Sequence, residues 1–204
     1  MIKKLDKTDL PNNDFFKIDT DVSISKLLSD SELFRFKKVS RVLMQLENSI
    51  DNQLDITKTQ KSNFIEVDSL EQKEIVLEQT LADAFSKNLS FLISLEKEKI
   101  KEQLKKSIND GHVYMISKKS EVFAFLIVKE MQHWGEEKLL VAWIWIKSDI
   151  EKQEKVNIRY SLKNLFKTYD IKNIIASIHI QNLASFYFFE KLGFKPVAIS
   201  LKNI

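Results

Sequence analysis

The chain contains no cysteine, which removes disulfides, a thiol nucleophile and thiolate metal sites from consideration. Histidine is nearly as scarce. His112, His133 and His179 are too scattered along the sequence to suggest a zinc centre, so no metal is expected. Long apolar runs are missing as well. The opening MIKKLDKTDLPNN lacks the apolar core of a secretion signal, and no stretch approaches the roughly eighteen uncharged apolar residues of a membrane span. These absences lead us to expect a soluble, cytoplasmic chain with no membrane partner. Neither sign of charge dominates: Lys+Arg 32 stands against Asp+Glu 29, a net charge of +3. Nothing in that balance calls for nucleic acid, and helices of mixed sign disfavour it. Glycine (3) and proline (2) are rare, and neither an internal repeat nor a low-complexity linker interrupts the chain.

What is present is ordinary globular material. With 204 residues, 44% hydrophobic and 30% charged, the chain can bury one main core plus an extension. Residues 1–60 read as that extension. Ser29 and Glu32 have capping-box spacing, and Leu33, Phe34, Phe36, Val39, Val42, Leu43, Leu46 and Ile50 recur at three- and four-residue intervals. The pattern predicts a helix that packs on the main domain or offers a surface for a homodimer.

From Asn63 the pattern alternates, and residues 61–204 read as the main domain. NFIEVDSL predicts a strand ending at Ser69, whose spacing to Gln72 caps a helix through EIVLEQTLADAF. A second helix, FLISLEKEKIKEQLKKSIND, stops at Gly111. HVYMISKKSEVFAFLIVKEM predicts a hairpin turning near residues 118–121, and KLLVAWIWIKS a long strand. A helix over about 149–169, the strand IKNIIASIHI, the helix LASFYFFEKL and the strand FKPVAISL complete the series. The order β-α-α-β-β-β-α-β-α-β argues an α/β fold, a mixed sheet covered by helices.

The closing stretch NLASFYFFEKLGF carries Asn182, Ser185, Phe188, Phe189 and then Glu190 to Phe194 at fixed spacing. Residue by residue it reads as Asn182 capping a short helix, aromatics burying one side and Gly193 ending it. As a whole, and with the element order before it, it resembles the closing motif of the GNAT family of acyl-CoA N-acyltransferases, over residues 63–204. That resemblance implies a mixed sheet in which two parallel strands, here KLLVAWIWIKS and IKNIIASIHI, splay apart to admit the pantetheine arm. It also implies acetyl-CoA or another acyl-CoA as co-substrate and an amine, small molecule or protein, as acceptor. The cofactor's contacts would come from Ile146, Lys147, Ser148, Gln153, Lys155 and Asn182.

Three family features depart from the pattern. The phosphate cradle R/Q-x-x-G-x-G/A aligns on Gln153, Val156 and Ile158, so both glycines are missing. That loss predicts a helix in place of the loop, capped by Ser148 with Glu151 in a third capping box, with Asp149 and Glu151 placing negative charge at its start. The tyrosine that commonly serves as acid is Phe189. Tyr187, two residues earlier, lies about 200° around the helix. The carboxylate base is absent from VAWIWI, leaving Glu130, Asp149 and His179 as candidates, with His179 best suited by its intrinsic pKa. Trp143 and Trp145 share one strand face, where they fill core or line an acceptor site. The expected catalytic set is therefore His179, Glu130 and Tyr187. The expected function is acyl-CoA-dependent N-acyl transfer with an atypical cradle; the alternative is a GNAT-like scaffold that binds a protein partner and catalyses nothing.

Overall fold

The structure, a computed structural model, describes residues 3–4, 15–17, 37–47, 63–87 and 89–203. Its strands and flanking helices give the mixed α/β class expected from the element order. The chain divides into two compact units.

One unit comprises Asn48–Glu130 and Leu139–Ile171. Strands β4 (Ile65–Glu66), β5 (His112–Lys118), β6 (Glu121–His133) and β7 (Glu136–Ile146) follow one another in the order β7-β6-β5-β4. Antiparallel pairing of β5 and β6 runs from His112↔Val128 to Lys118↔Glu121, so the hairpin turn holds Lys119 and Ser120, as the sequence suggests. Period-two alternation then assigns two faces. Val113, Phe125 and Ile127 meet helices α1 (Leu70–Lys87) and α2 (Ser94–Asp110) through Leu77, Leu81, Leu104 and Ile108, with Trp143 and Trp145 partly buried beside them. Ile116 and Ala124 instead meet Ile158 of α3 (Lys152–Phe166), with Ile146 packed alongside. Ser69 caps α1 as its spacing predicts, its hydroxyl accepting from the Gln72 N–H at 3.4 Å. Gly111 ends α2 in an extended conformation rather than a left-handed one. Its glycine identity follows from close approach: a Cβ there would lie 2.5 Å from the Val128 carbonyl oxygen and 2.8 Å from that of Ser107.

The other unit comprises Met1–Glu47, Met131–Lys138 and Lys172–Ile204. Its strands are β1 (Lys3–Lys4), β2 (Phe15–Lys17), β3 (Lys37–Glu47), β8 (Asn173–His179) and β9 (Lys195–Asn203), in the order β1-β2-β9-β3-β8. Strand β3 pairs antiparallel with both β8 and β9. The helix expected over residues 29–50 is thus corrected to a strand over Lys37–Glu47; residues 29–36 and 48–50 lie outside the described residues. The reason is visible in burial. Val42, Leu43 and Met44 are consecutive and almost wholly buried, so β3 is covered on both faces and carries an unbroken apolar run instead of alternation. The N-terminal segment is therefore part of a sheet and does not form a helical extension over these residues.

Polar side chains fasten β3 in place. Arg41 donates through Nε to Ser177 Oγ at 2.8 Å and through Nη2 to the Ser177 carbonyl at 2.9 Å. At its other end Gln45 closes a ring. Lys138 Nζ donates to Gln45 Oε1 at 3.1 Å, Gln45 Nε2 to Asn173 Oδ1 at 3.0 Å, and Asn173 Nδ2 to Glu136 Oε2 at 3.1 Å, which returns to Lys138 Nζ at 3.3 Å. Lys138 is 2% exposed, and its ammonium sits 4.9 Å from the Trp134 ring centroid. The burial of this side chain is offset by the Glu136 carboxylate, the Gln45 amide oxygen and the face of the Trp134 ring. Helix α4 (Leu183–Leu192) follows β8, capped by Asn182, whose Oδ1 accepts from the Ser185 N–H at 3.2 Å. Gly193 ends it at φ 98°, ψ 7°, with its N–H on the Glu190 carbonyl and the Phe194 N–H on that of Phe189. This is the stop that the sequence predicts, and the left-handed φ is the reason for glycine.

Candidate functional site

The stretch between β7 and α3 is where the resemblance places the cofactor's phosphates. Helix α3 starts at Lys152 and runs without a break to Phe166, so Gln153, Val156 and Ile158 are helical, as the missing glycines suggest. Gln153 donates to Asn157 Oδ1 one turn on, and Ile158 is buried in the core. The expected cap is corrected. Ser148 does not cap the helix; the N-cap is Glu151, which makes no side-chain capping bond. Residues 148–150 turn first, and Ser148 is engaged elsewhere: its Oγ accepts from Lys87 Nζ at 3.3 Å and its carbonyl from Lys155 Nζ at 2.8 Å. The first helical bond is Lys155 N–H to the Glu151 carbonyl at 3.1 Å, and among the described residues no side chain caps the N–H groups of Lys152, Gln153 and Glu154. These donors, the positive end of the helix dipole and the ammonium groups of Lys87, Lys147 and Lys155 around residues 147–151 suit a phosphate-bearing ligand.

Missing glycines do not weaken that fit. Among the described residues a positive φ occurs only at Lys119, Ser120, Trp134, Gly135 and Gly193. The turn between β7 and α3 therefore needs no left-handed residue, and its side chains cost no backbone strain. Asp149 and Glu151 do oppose an anion, but Lys147 offsets part of this. Its Nζ pairs with Asp149 at 3.4 Å and with Glu121 at 2.5 Å, and these carboxylates, Glu121 first, raise its pKa.

Beside this turn lies a cavity of about 500 Å³, whose lining includes Asp83, Lys87, Lys119, Trp145, Lys147 and Asp149. Asp83 is its organising group. It accepts from Trp145 Nε1 at 3.0 Å and pairs with Lys87 one helical turn on at 2.5 Å. The Lys87 hydrogen bond, helped by that of Trp145, outweighs burial and holds the Asp83 carboxyl below its usual range. A chain of hydrogen bonds thus runs from Trp145 through Asp83 and Lys87 to Ser148, linking the cavity wall to the start of α3. Trp145 lines the cavity, while Trp143 packs in the core against α1 and α2.

The structure brings Lys147, Ser148 and Lys155 together at one turn, with Ile146 packed just before it. Glu130 is exposed near the far end of β6, nine residues from Glu121 at the cavity, and its charge acts on Tyr114 and Tyr169. In the other unit, His179 closes β8, and its Nδ1 accepts from the Gln181 N–H at 3.3 Å. Tyr187 is 55% exposed on α4, edge-on to Phe186. Phe189 is buried against Phe188 and Phe194 and brings no hydroxyl. Sequence reasoning missed Asp83, Lys87, Lys119 and Glu121. Asp83 and Lys87 stand four apart on a helix, a pattern that a solvated surface pair shares. The alternation that put Trp145 on one strand face, and the naming of Lys147 and Asp149 at the cradle, pointed toward this wall.

A family model described as "Acetyltransferase (GNAT) domain" matches residues 66–204. Among curated proteins no match is found. Similar solved structures include a conserved protein of unknown function from Staphylococcus epidermidis, 12% identical with a TM-score of 0.50, covering 93% of this chain and 72% of that one. A PaiA N-acetyltransferase from Thermoplasma acidophilum, solved with coenzyme A, is 18% identical with a TM-score of 0.49 over 70% of this chain and 99% of that one. A GCN5-related N-acetyltransferase from Kribbella flavida is 14% identical with a TM-score of 0.47; 84% of this chain spans 62% of its length. No described helix is long and apolar enough to cross a membrane. The family match covers every element from Glu66 of β4 to the last strand, and the chain belongs to the GNAT family of acetyltransferases.

Proposed function

We propose that the chain transfers an acyl group from coenzyme A to an amine, with the phosphates at the open start of α3 and the amine in the adjoining cavity. The observation that carries this reading is the uncapped N-terminus of α3, flanked by Lys147 and Lys155 and continuous with the cavity wall through Ser148, Lys87 and Asp83. When bound, acyl-coenzyme A supplies a thioester whose C–S bond breaks as the amine nitrogen bonds to the acyl carbon and gives up a proton, and coenzyme A leaves as a thiolate that takes a proton from water. The chain's own residues bind and orient. Asp83, held ionised by Lys87, is a poor proton acceptor and a good anchor for a donor group on the acceptor. Glu121 and Asp149 are both tied to Lys147. The proton therefore leaves through water in the open cavity, and the rate enhancement comes from positioning. No nucleic acid or metal enters this scheme.

One observation favours a second reading, a scaffold that transfers nothing: Phe189, buried where the family's tyrosine acid stands. Calorimetric titration with acetyl-CoA separates the two. A Kd tighter than about 100 µM, roughly −5.5 kcal/mol, supports transfer. No heat of binding at protein and ligand concentrations well above that value would leave the scaffold.

A further inference from the structure

The cavity wall is electrically balanced, with Asp83, Glu121 and Asp149 set against Lys87, Lys119 and Lys147. Two of its lysines are held differently. Among the described residues, Lys147 pairs with two carboxylates, Glu121 and Asp149, whereas Lys87 pairs with one, Asp83. Neutralising a single acid therefore releases Lys87 and leaves Lys147 where it is.

Of that pair, the acid is fixed and the base can move. Asp83 Oδ2 accepts from Trp145 Nε1 at 3.0 Å, which ties the carboxylate to β7, while Oδ1 holds the Lys87 ammonium at 2.5 Å. Lys87 ends α1 with a side chain that is 54% exposed, and its ammonium also reaches Ser148 Oγ at 3.3 Å, in the turn that leads into α3. One cation thus bridges the acid in the cavity and the turn assigned to the phosphates, on a flexible stem that lets it favour either end. Charge decides which end. The Lys87 hydrogen bond is the largest cause holding the Asp83 carboxyl below its usual range, so the pair is the resting arrangement. Because Trp145 occupies Oδ2, an ammonium entering the cavity competes with Lys87 for Oδ1, and the two cations repel each other. Lys87 then moves toward the turn, where a phosphate is the anion open to it.

We propose that Lys87 is a phosphate-binding residue held in reserve by Asp83: the acceptor's ammonium displaces it from the carboxylate, the released lysine binds the phosphates of acyl-coenzyme A, and each substrate thereby tightens the binding of the other. The inference rests on the acyl-transfer reading above and adds a coupling between its two sites, which is reciprocal by thermodynamic necessity. Trp145 is the anchor that keeps Asp83 in place while Lys87 changes partner. The amide formed by transfer carries no charge, so Asp83 recovers Lys87 and the hold on coenzyme A loosens as product leaves.

The test imitates the displaced state with Asp83→Asn, which keeps an oxygen for Trp145 Nε1 and removes the charge that restrains Lys87. Lys87→Gln is made alone and in combination with it. Asp83→Asn should bind acetyl-CoA about threefold to tenfold more tightly than the parent by calorimetry, even as its Tm falls with the lost ion pair. A purely structural Asp83 would instead lower Tm and affinity together. Adding Lys87→Gln to Asp83→Asn should abolish the gain, while Lys87→Gln alone should weaken binding by less, since Asp83 already restrains the lysine in the parent. A gain that survives Lys87→Gln would come from the loss of a nearby negative charge alone and would overturn the inference. The trigger is probed with ethylammonium and butylammonium at constant ionic strength, using coenzyme A, which cannot react. Both should tighten coenzyme A binding in the parent and leave it unchanged in Asp83→Asn; no tightening in the parent overturns the inference. Affinity that is unchanged or weaker in Asp83→Asn, with a parent that binds acetyl-CoA, sinks the inference alone. A parent that binds neither acetyl-CoA nor coenzyme A takes the transfer reading with it.

Discussion

At the scale of single residues, the clearest perturbation lies away from the cavity. The hydroxyls of Tyr114 and Tyr169 share a hydrogen bond of 2.7 Å; burial, with the charges of Glu66 and Glu130, pushes both pKa values up, and the bond adds to the rise at Tyr169 while opposing it at Tyr114. A tyrosine whose pKa is raised on folding favours the neutral form. Its stabilising contribution is complete below the ordinary value near 10 and is lost as pH rises through the folded value. Tyr169→Phe should therefore cost about 1 kcal/mol at about pH 8, where the hydrogen bond is intact. Thermal melts at about pH 11 should show that difference shrinking or reversing, because the unfolded parent then ionises this tyrosine while the folded parent still holds it neutral. A constant difference across that range would mean that the pair does not titrate with folding. Neither tyrosine stands out in the sequence. Their partnership spans residues 114 and 169, and a contact so distant in sequence leaves no local pattern to read. The bond between Trp145 and Asp83 was hidden for the same reason, whereas Asn182 and Gly193 were legible because a helix cap and stop are local events.

Elements were read well wherever one face is buried and the other wet. The β5–β6 hairpin, α1, α2 and α4 all appear where alternation or helical spacing puts them. Two elements were misjudged, for different reasons. Spacing predicts a capping box at Ser148 and Glu151, yet the chain leaving β7 must turn before it can coil, and Lys87 and Lys155 hold Ser148 in that turn. The helix then starts at Lys152 with a glutamate N-cap that caps nothing. Glu151→Asp tests what this opening is for, since it keeps the charge and shortens the side chain to one that accepts from N–H groups two or three residues on. The variant should gain about 0.5–1 kcal/mol in stability and bind acetyl-CoA at least about threefold more weakly, because the new cap occupies donors that a phosphate would use. Stability gained with affinity unchanged would place the phosphates elsewhere. Strand β3 was misjudged because its apolar residues satisfy a helical stripe as well as a buried strand. With no glycine or proline to mark its ends, periodicity could not arbitrate.

At the scale of the whole molecule, that strand changes what counts as the domain. The family match begins at residue 66, and the sequence alone suggests that residues 61–204 stand as a unit. The structure instead seats β3, which precedes both boundaries, between β8 and β9, with Leu43 and Met44 fully buried and Arg41 and Gln45 bonded to Ser177 and Asn173 of β8. Removing it would expose two strand edges together with the apolar side chains it covers, a template for aggregation. Residues 61–204 expressed alone should therefore melt without a cooperative transition and elute as aggregate, while the full chain with Leu43→Ala should stay folded but lose about 2–5 kcal/mol. Adding a peptide of residues 37–47 to the truncated chain during refolding should recover a cooperative melt, since both neighbours of the missing strand pair with it along most of its length. A truncated chain that folds cooperatively as a monomer, with acetyl-CoA affinity equal to the parent, would show that β3 only decorates a domain complete without it.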